Sequence, residues 1–326
     1  MVTSAGRITL WGIEVFVAAA EERSISAAAR RLGASASAVS QQLSNLENAI
    51  GTALMNRTAR PATLTPAGEK FLRRAHLILN EAEQARAELA VADLGSLTRL
   101  RLGVVEDLEA DVTPRLLTAM AETMTGCQFL LETGASHTLY GQLDARALDV
   151  IVTAEMGASA EWTEVHSLLR EGFVVAAPKG MVDSAGDVLA QLQTLPLVHY
   201  TTRHHMGRLI EEHLARQNLT LAHRFELDSY HAILALVGQG AGWTILTPMA
   251  LMRARRFAPL VDVLELPVAP LSRTISLTAR RGVLGDMPRE IAATLRPLLS
   301  EAVVAPALSA YPFLRGALEV LGTPEQ

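Results

Sequence analysis

The chain of 326 residues is long enough for two or three domains, and with 49% hydrophobic and 19% charged residues it can bury sizeable cores. A formal net charge of −5 excludes one large polyanion-binding surface over the whole chain, and a single cysteine excludes an intrachain disulfide framework. The charge is unevenly distributed: residues 1–92 carry a net charge of +2 and residues 93–326 carry −7. This distribution is compatible with nucleic-acid binding by residues 1–92 alone.

The N-terminal segment predicts a first helix over residues 9–22 and then two short helices joined by a turn at Gly33. Ser26 is the expected N-cap of the second helix, and Ser35 or Ser37 that of the third. The third helix has an apolar stripe at spacings of four, three and four: Val39, Leu43, Leu46 and Ile50. Its opposite face carries hydroxyl and amide side chains and no acid, a face suited to base edges. This pattern fits either a DNA-binding helix-turn-helix or an ordinary amphipathic helix pair.

Residues 53–64 predict a short β-hairpin, a wing, that presents Arg57 and Arg60. Guanidinium groups on a wing suit phosphates or a narrow minor groove. The alternative is that both arginines are solvated loop residues. The adjacent helix pair favours a winged helix.

Thr65 and Pro66 open a long helix that runs to about Asp93 and stops near Gly95. A heptad-like seam follows it at alternating spacings of four and three: Phe71, Ala75, Ile78, Ala82, Ala85 and Leu89. The seam predicts either a dimer contact, which we favour, or docking on the chain's own domain.

From Arg99 onwards, strands alternate with helices in two successive α/β units, with strands of the second unit near 165–169 and 173–177. Two such lobes create a cleft between them, where a small ligand commonly binds. Residues 230–252 lack charged side chains, but glycines and a proline divide them into a helix, a turn and a strand of a buried core. With no recognisable signal peptide, a soluble cytoplasmic protein is expected.

Neither metal binding nor catalysis is favoured. The spacings of His199, His204, His205 and His213 match no standard metal site. Cys127 lies in an apolar run and is expected to be a core residue. Nucleophile-elbow, phosphate-loop and paired acid–base motifs are absent. We therefore expect no metal, no cofactor and no enzymatic activity.

The chain resembles the LysR-type transcriptional regulators. The resemblance is carried by FVAAAEERSISAAARRLGASASAVSQQLSNLENAIG and ALMNRTARPATLTPAGEKFL, and more loosely by LVGQGAGWTILTP at 236–248. It implies an α+β multidomain protein: a winged helix-turn-helix (1–64), a dimerising linker helix (65–94) and a two-lobed α/β domain of the type 2 periplasmic-binding fold (95–302). Residues 95–161 and 266–302 would form the first lobe and 162–265 the second, and the tail at 303–326 has no readable role.

The resemblance also implies partners and site residues. Double-stranded DNA would be contacted by Arg31, Ser35, Ala36, Ser37, Ser40, Gln41, Arg57 and Arg60. Ala36 and the Met55-Asn56 pair depart from the family's usual residues. A small effector of unknown identity would bind between the lobes against Glu106, Asp107, Ala135, Ser136, Thr201, Thr202, Arg203 and Trp243. Members of the family usually act as tetramers built from dimers.

The carboxylates of Glu106 and Asp107 at the cleft mouth disfavour a bare anion. Facing Arg203 and His204, they could hold a zwitterion or an amine. The alternative is that both acids cap the helix that begins near Val112. The sequence therefore predicts a ligand-responsive transcription factor, and the alternative function is a two-lobed solute binder or enzyme with an accessory DNA-binding head.

Overall fold

The computed structural model describes residues 7–57, 59, 61–90 and 97–322, without the side chains of residues 80, 83, 84 and 86–90. The chain divides into two compact units: one that ends at Ala90, and one that holds the sheets of residues 97–322. Arg60, the side chain of Leu89 and the predicted linker end near Asp93 and Gly95 lie outside the described residues.

The N-terminal unit is a helical bundle with a short hairpin. Its elements are α1 (Leu10–Glu22), α2 (Ile25–Arg31), α3 (Ala36–Ile50), β1 (Met55–Asn56), β2 (Thr63–Leu64) and α4 (Pro66–Ala90). Strands β1 and β2 pair in antiparallel register, as the wing prediction requires. The N-cap of α2 is Ser24, whose hydroxyl accepts from the Ala27 N–H at 3.3 Å, so the expectation of Ser26 was wrong. Gly33 ends α2 with φ +63°, as expected.

Apolar side chains from all four helices form the core of this unit. Val39, Leu43 and Leu46 of α3 are buried, which confirms that the predicted stripe faces inward. Phe16 of α1 packs against Phe71 of α4 with ring centroids 5.4 Å apart. The helix-turn-helix and the start of α4 therefore share one core.

The first lobe of the C-terminal unit is built on a six-stranded sheet of order β13-β6-β12-β5-β3-β4. Its elements are β3 (Arg99–Val105), α5 (Thr113–Thr123), β4 (Gln128–Gly134), α6 (Ser136–Asp144), β5 (Val150–Ala154), β6 (Thr163–Gly172), β12 (Ser272–Arg280), α11 (Met287–Leu299), α12 (Ala305–Ala310) and β13 (Leu318–Val320). Strand β3 is parallel to β4 and β5, while β6, β12 and β13 pair antiparallel.

The second lobe has a three-stranded sheet of order β10-β7-β11 and a two-stranded parallel sheet of β8 and β9. Its elements are β7 (Val174–Pro178), α7 (Val188–Gln193), β8 (Leu197–Tyr200), α8 (His205–Arg216), β9 (His223–Leu227), α9 (Tyr230–Gly238), β10 (Thr244–Leu246), α10 (Pro248–Arg253) and β11 (Val261–Glu265). The uncharged run 230–252 is α9, a glycine turn, β10 and the start of α10, and most of it is buried, as expected.

The expected lobe boundary at residue 162 is wrong for one strand. Strand β6 pairs along its whole length with β12 and so belongs to the first-lobe sheet. The chain crosses to the second lobe at Phe173, which separates β6 from β7, and returns between β11 and β12. The two crossings lie side by side, since the Phe173 N–H donates to the Leu271 carbonyl at 2.8 Å.

The tail has a structural role that the sequence did not show. After α11, a π-helical turn (Ser300–Val304) leads into α12, and β13 then pairs with β6 at the edge of the sheet. Among the described residues, Met287–Ala310 is the one helical run whose length and apolar composition could match a bilayer. Its residues Ile291, Leu295 and Leu299 are buried in the main core of the C-terminal unit, which is the packing of a core helix.

Candidate functional site

The outward face of α3 is polar and carries little charge. Ala36, Ser37, Gln41 and Asn45 are exposed, and Ser40 is half-buried. Ser35, just before the helix, caps it: its hydroxyl accepts from the Ala38 N–H at 3.2 Å and lies 3.0 Å from the Ser37 hydroxyl. Gln41 donates its amide to the Asn45 side chain at 3.0 Å. Hydroxyl and amide groups on an exposed helix can donate to and accept from base edges.

Of the three arginines predicted to contact DNA, the two that the structure describes, Arg31 and Arg57, are both ion-paired. Arg31 bonds to Glu21 at 2.6 Å, and this hydrogen bond is the largest cause that raises the pKa of Arg31. Both side chains are largely exposed, so the pair exchanges readily with another anion. Arg57 pairs with Glu47 and donates to the Ser44 hydroxyl at 2.9 Å, so the structure ties it to α3.

Only part of the predicted seam on α4 is free. Phe71 and Ala75 pack in the core of their own unit, and Ala75 is fully buried, so the alternative of docking on the chain's own domain holds for these two positions. Ile78 is 40% exposed, Ala82 is half-buried and Ala85 is exposed. The surface left for a partner therefore begins at Ile78.

A cavity of about 60 Å³ lies between the two lobes. That space suits roughly four to six water molecules. Its lining combines carboxylate, guanidinium, imidazole and phenol groups with a small-residue turn: Val105, Glu106, Asp107, Gly134, Ala135, Ser136, Ala154, Tyr200, His204, His205, Met206, Tyr230 and Arg273. Four of the eight predicted effector residues, Glu106, Asp107, Ala135 and Ser136, lie at this cavity.

The floor of the cavity is a buried charge network centred on Arg273. Its Nη2 donates to Asp107 at 2.7 Å and its Nε to Glu171 at 2.8 Å. The other oxygen of Glu171 accepts from the Met249 N–H, at the start of α10, at 3.0 Å. Burial is the largest cause acting on the pKa of Glu171 and raises it, while Arg273 opposes that rise. The Arg273 pKa is raised because both carboxylates outweigh its own burial.

A second arginine connects the lobes beside this floor. Arg253 of α10 donates to the Glu106 carbonyl and the Glu109 carboxylate, and to the Tyr230 hydroxyl at 2.9 Å. Burial first, and Asp107 second, raise the pKa of Tyr230, so the phenol stays protonated and can donate.

Two helices begin at the cavity. Helix α6 starts at Ser136, whose hydroxyl accepts from the Ala154 N–H at 3.2 Å. Helix α8 starts at His205, after the N-cap His204, whose side chain makes no capping bond. The first N–H groups of a helix lack intrahelical acceptors and favour a negative ligand. Burial is the largest cause that lowers the pKa of His205.

The other four predicted effector residues do not line the cavity. Thr201 is buried, with its hydroxyl donating to Glu226 at 2.6 Å. Thr202 is half-buried and Arg203 is exposed, both on the turn before α8. Trp243 is 2% exposed in the second-lobe core, and its indole N–H donates to the Leu195 carbonyl at 3.3 Å. The sequence placed Glu106 and Asp107 opposite Arg203 and His204. His204 lines the cavity with both acids and Arg203 does not, and Asp107 pairs with Arg273.

Comparison with known proteins identifies the family. The family model for bacterial regulatory helix-turn-helix proteins of the lysR family matches residues 10–69, and the model for the LysR substrate-binding domain matches residues 95–316. The chain belongs to the LysR family of transcriptional regulators. The first match contains α1 to α3 and the wing, and the second contains both lobes and the cavity.

Relatives of this LysR regulator agree. A probable hydrogen peroxide-inducible genes activator of Mycobacterium avium is 33% identical over 53% of this chain and 55% of its own length. The uncharacterized HTH-type transcriptional regulator YfeR of Shigella flexneri is 24% identical over 85% of this chain and 92% of its own length. Among solved structures, a cysteine mutant of OxyR from Corynebacterium glutamicum is 25% identical, with a TM-score of 0.58 over 93% of this chain and 96% of the other.

Tyr200, Met206, Tyr230 and Arg273 are among the residues of this LysR cavity that sequence reasoning missed. A signal for Arg273 exists, since it lies near the start of SRTISLTAR, whose alternating Ile275, Leu277 and Ala279 indicate a strand with one buried face, and a charge next to a core needs a partner. The described residues hold no group of three His, Cys, Asp or Glu side chains placed for a metal ion. Cys127 is half-buried, and burial is the largest cause that raises its pKa.

Proposed function

We propose that this LysR regulator reads DNA with the exposed face of α3 and that a small molecule in the inter-lobe cavity controls its activity. The observation that carries the first part is the composition of that face: hydroxyl and amide groups are exposed next to a short wing. Ser35, Ala36, Ser37, Ser40 and Gln41 are the proposed base and backbone contacts. Arg31 supplies a phosphate contact by exchanging Glu21 for the DNA backbone.

The second part rests on the cavity. It lies between two lobes, it has charged and hydrogen-bonding groups on opposite walls, and two helices start at its edge. A ligand that touches both lobes shifts the population of their arrangements, which is the thermodynamic requirement for an effector. We assign no reaction and no cofactor to this cavity, and we place the protein with its DNA in the cytoplasm.

Control by an intrachain disulfide does not suit this sequence. Peroxide-inducible activators are among its relatives. The 326 residues contain one cysteine, and its thiol has a pKa raised by burial. A reversibly bound small molecule therefore fits the sequence better as the signal.

We further propose a homodimer that uses the free part of the α4 seam, with a tetramer as the assembled form. Ile78 and Ala85 are exposed apolar positions on a helix whose other exposed residues include Arg73, Arg74 and Glu81. Paired heads would match a DNA site with two-fold symmetry.

The test uses the full chain and fluorescence anisotropy on the DNA upstream of its own gene. We expect binding that is salt-dependent and at least a thousandfold tighter than to a shuffled duplex of the same composition. Equal affinity for both duplexes would contradict sequence-specific regulation. Ala135→Leu fills the cavity and tests the effector part: it should abolish the thermal shift given by any metabolite that also alters DNA binding.

A further inference from the structure

Arg273 lines the effector cavity, and its Nη1 group has no oxygen partner among the residues that the structure describes. The Arg273 side chain is 8% exposed, and its Nε and Nη2 are held by Glu171, Asp107 and the Thr247 hydroxyl. Its Nη1 contacts the Met206 sulfur at 3.8 Å, which is a weak acceptor. A buried guanidinium N–H group without an oxygen acceptor is costly, and an oxyanion in the cavity would remove that cost.

The starts of two helices support an anion at the same place. His205 and Met206 of α8 and Ser136 of α6 line the cavity together with Arg273. Backbone N–H groups in the first turn of a helix point out of its N-terminal end, and the helix dipole adds a partial positive charge there. A carboxylate can therefore accept from Arg273 and from first-turn N–H groups without displacing any ion pair of the floor.

The rim of the cavity has the opposite charge. Glu106 is exposed at the cavity, and its carboxylate makes no hydrogen bond or ion pair with any described residue. Asp107 is next to Glu106 in the sequence. Arg273 pairs with both Asp107 and Glu171, so its single positive charge neutralises only one of these two negative charges. The phenol of Tyr200 lines the same cavity as both acids. The rim thus offers oxygen acceptors to a cation and repels a second anion.

We propose that the cavity binds a small amphoteric ligand, a free amino acid with an ammonium and a carboxylate group, oriented with the carboxylate on Arg273 and the ammonium on Glu106. This inference rests on the proposed function, because it names the chemical class of the effector for the same cavity. A neutral zwitterion satisfies the acceptors and the donors at once, whereas a simple acid or a simple amine leaves one set unpaired.

The experiment compares each amino acid with two analogues that lack one of its charges. Glycine, L-alanine, L-serine, β-alanine and 4-aminobutyrate are tested by thermal shift and titration calorimetry on the full chain. Each is matched with the acid without the amine and the amine without the acid, such as propionate and ethylamine for alanine. At least one amino acid should bind, with both analogues at least tenfold weaker. Failure of all five, or an acid that binds as tightly as its amino acid, overturns the proposal.

A variant with a matched control tests the orientation. Glu106→Gln removes the rim charge at an exposed position that carries no side-chain bond, so folding is expected to be preserved. This variant should bind the amino acid at least tenfold more weakly than the wild-type chain does, and it should bind the matching acid with unchanged affinity. Glu122→Gln removes an exposed charge on α5, away from the cavity, and should change neither. Equal weakening of amino acid and acid in Glu106→Gln, or no effect on either, contradicts the orientation.

The failure of the ligand class differs from that of the proposed function. DNA affinity of the same preparation is measured independently of any ligand. If a compound of another class binds the wild-type chain and not the Ala135→Leu variant, the proposal of an amphoteric ligand is wrong. The proposal of an effector cavity then still stands. If the wild-type chain shows no sequence-specific DNA binding, the proposed regulatory function is wrong instead.

Discussion

Arg57 forms an ion pair with Glu47, and this pair connects the start of the wing to helix α3. The Glu47 carboxylate also accepts from the N–H groups of Leu54 and Met55, at 2.8 and 3.1 Å. Arg57 reaches further along the helix to the Ser44 hydroxyl. One carboxylate therefore sets both the path of the chain after α3 and the position of the wing.

Replacing Glu47 with alanine is expected to lower the free energy of unfolding of the N-terminal unit by about 1–3 kcal/mol. The change leaves two backbone N–H groups and a guanidinium without their acceptor. Urea unfolding followed by helix circular dichroism measures the loss. Asn48→Ala, at the neighbouring exposed position, is the control and should stay within about 0.5 kcal/mol of wild type.

Arg57→Ala distinguishes two roles of this side chain: positioning the wing through its ion pair with Glu47, and direct contact with a DNA phosphate. Because the guanidinium is already paired with Glu47, we expect weaker binding to all duplexes alike, and a dependence of log affinity on log salt that keeps its slope. A slope smaller by about 0.9 would show that Arg57 neutralises a phosphate directly. Anisotropy titrations at four salt concentrations distinguish the two outcomes.

Gln41→Ala and Ser37→Ala test the base contacts proposed for α3. Each should cost about 1–3 kcal/mol on the specific site and much less on shuffled DNA, because base-edge hydrogen bonds exist only on the correct sequence. Thr52→Ala, exposed just beyond the helix, serves as the control. Equal losses on both duplexes for Gln41→Ala would exclude base readout by this side chain.

Ile78→Ser tests the free part of the α4 seam. At 40% exposure this side chain adds little to its own unit, so we expect an unchanged melting temperature of that unit and a shift towards monomer in sedimentation velocity. Arg73→Ser lies on the exposed opposite face of the same helix and should leave the association intact. If the monomer–dimer equilibrium is the same in both variants, the proposal that the α4 seam forms the dimer interface is wrong.

Gly242→Ala is expected to destabilise the C-terminal unit by about 3 kcal/mol or more. Gly242 has φ +145°, and a Cβ atom there would lie 2.0 Å from the Pro196 carbonyl oxygen. Gly126→Ala is the matched control, since a Cβ at that position meets nothing within 4 Å, and it should be nearly neutral. Chemical denaturation of the two variants gives the comparison.

His199 makes stability depend on pH. It is 7% exposed, and burial is the largest cause that lowers its pKa below the usual 6.5. Its stabilising effect is therefore complete above about pH 6.5 and is lost as the pH falls through the lowered folded pKa. His199→Asn should flatten the fall in stability between pH 7 and 5 by up to about 1.4 kcal/mol per pH unit. Parallel stability curves for the variant and wild type would contradict this.

The sequence predicted the N-terminal unit well because its signals are local. Capping serines, the apolar stripe of α3, the turn at Gly33 and the proline that opens α4 all act within a few residues of where they stand. The one capping error, Ser26 for Ser24, is a shift of two residues between equivalent side chains.

The sequence did not predict the placement of β6 or the floor of the cavity, because both depend on distant pairing. Strand β6 is adjacent in sequence to β7, yet its sheet partner β12 comes about a hundred residues later. Glu171 and Arg273 are 102 positions apart and meet only when those strands pair. Trp243 was assigned to the cleft by resemblance, but its large apolar ring is buried in the second-lobe core.

The return of the tail to the first lobe has a consequence for synthesis. In chain order, β3 is the first strand of the six-stranded sheet and β13, at one edge of that sheet, is the last. The Arg296 side chain donates to the Leu321 carbonyl, just after β13, at 2.7 Å. A nascent chain on the ribosome can therefore assemble its helical head early, whereas the ligand-sensing domain lacks its outermost strand until residues 318–320 have left the exit tunnel. A truncated translation product would carry a folded head without a finished sensor.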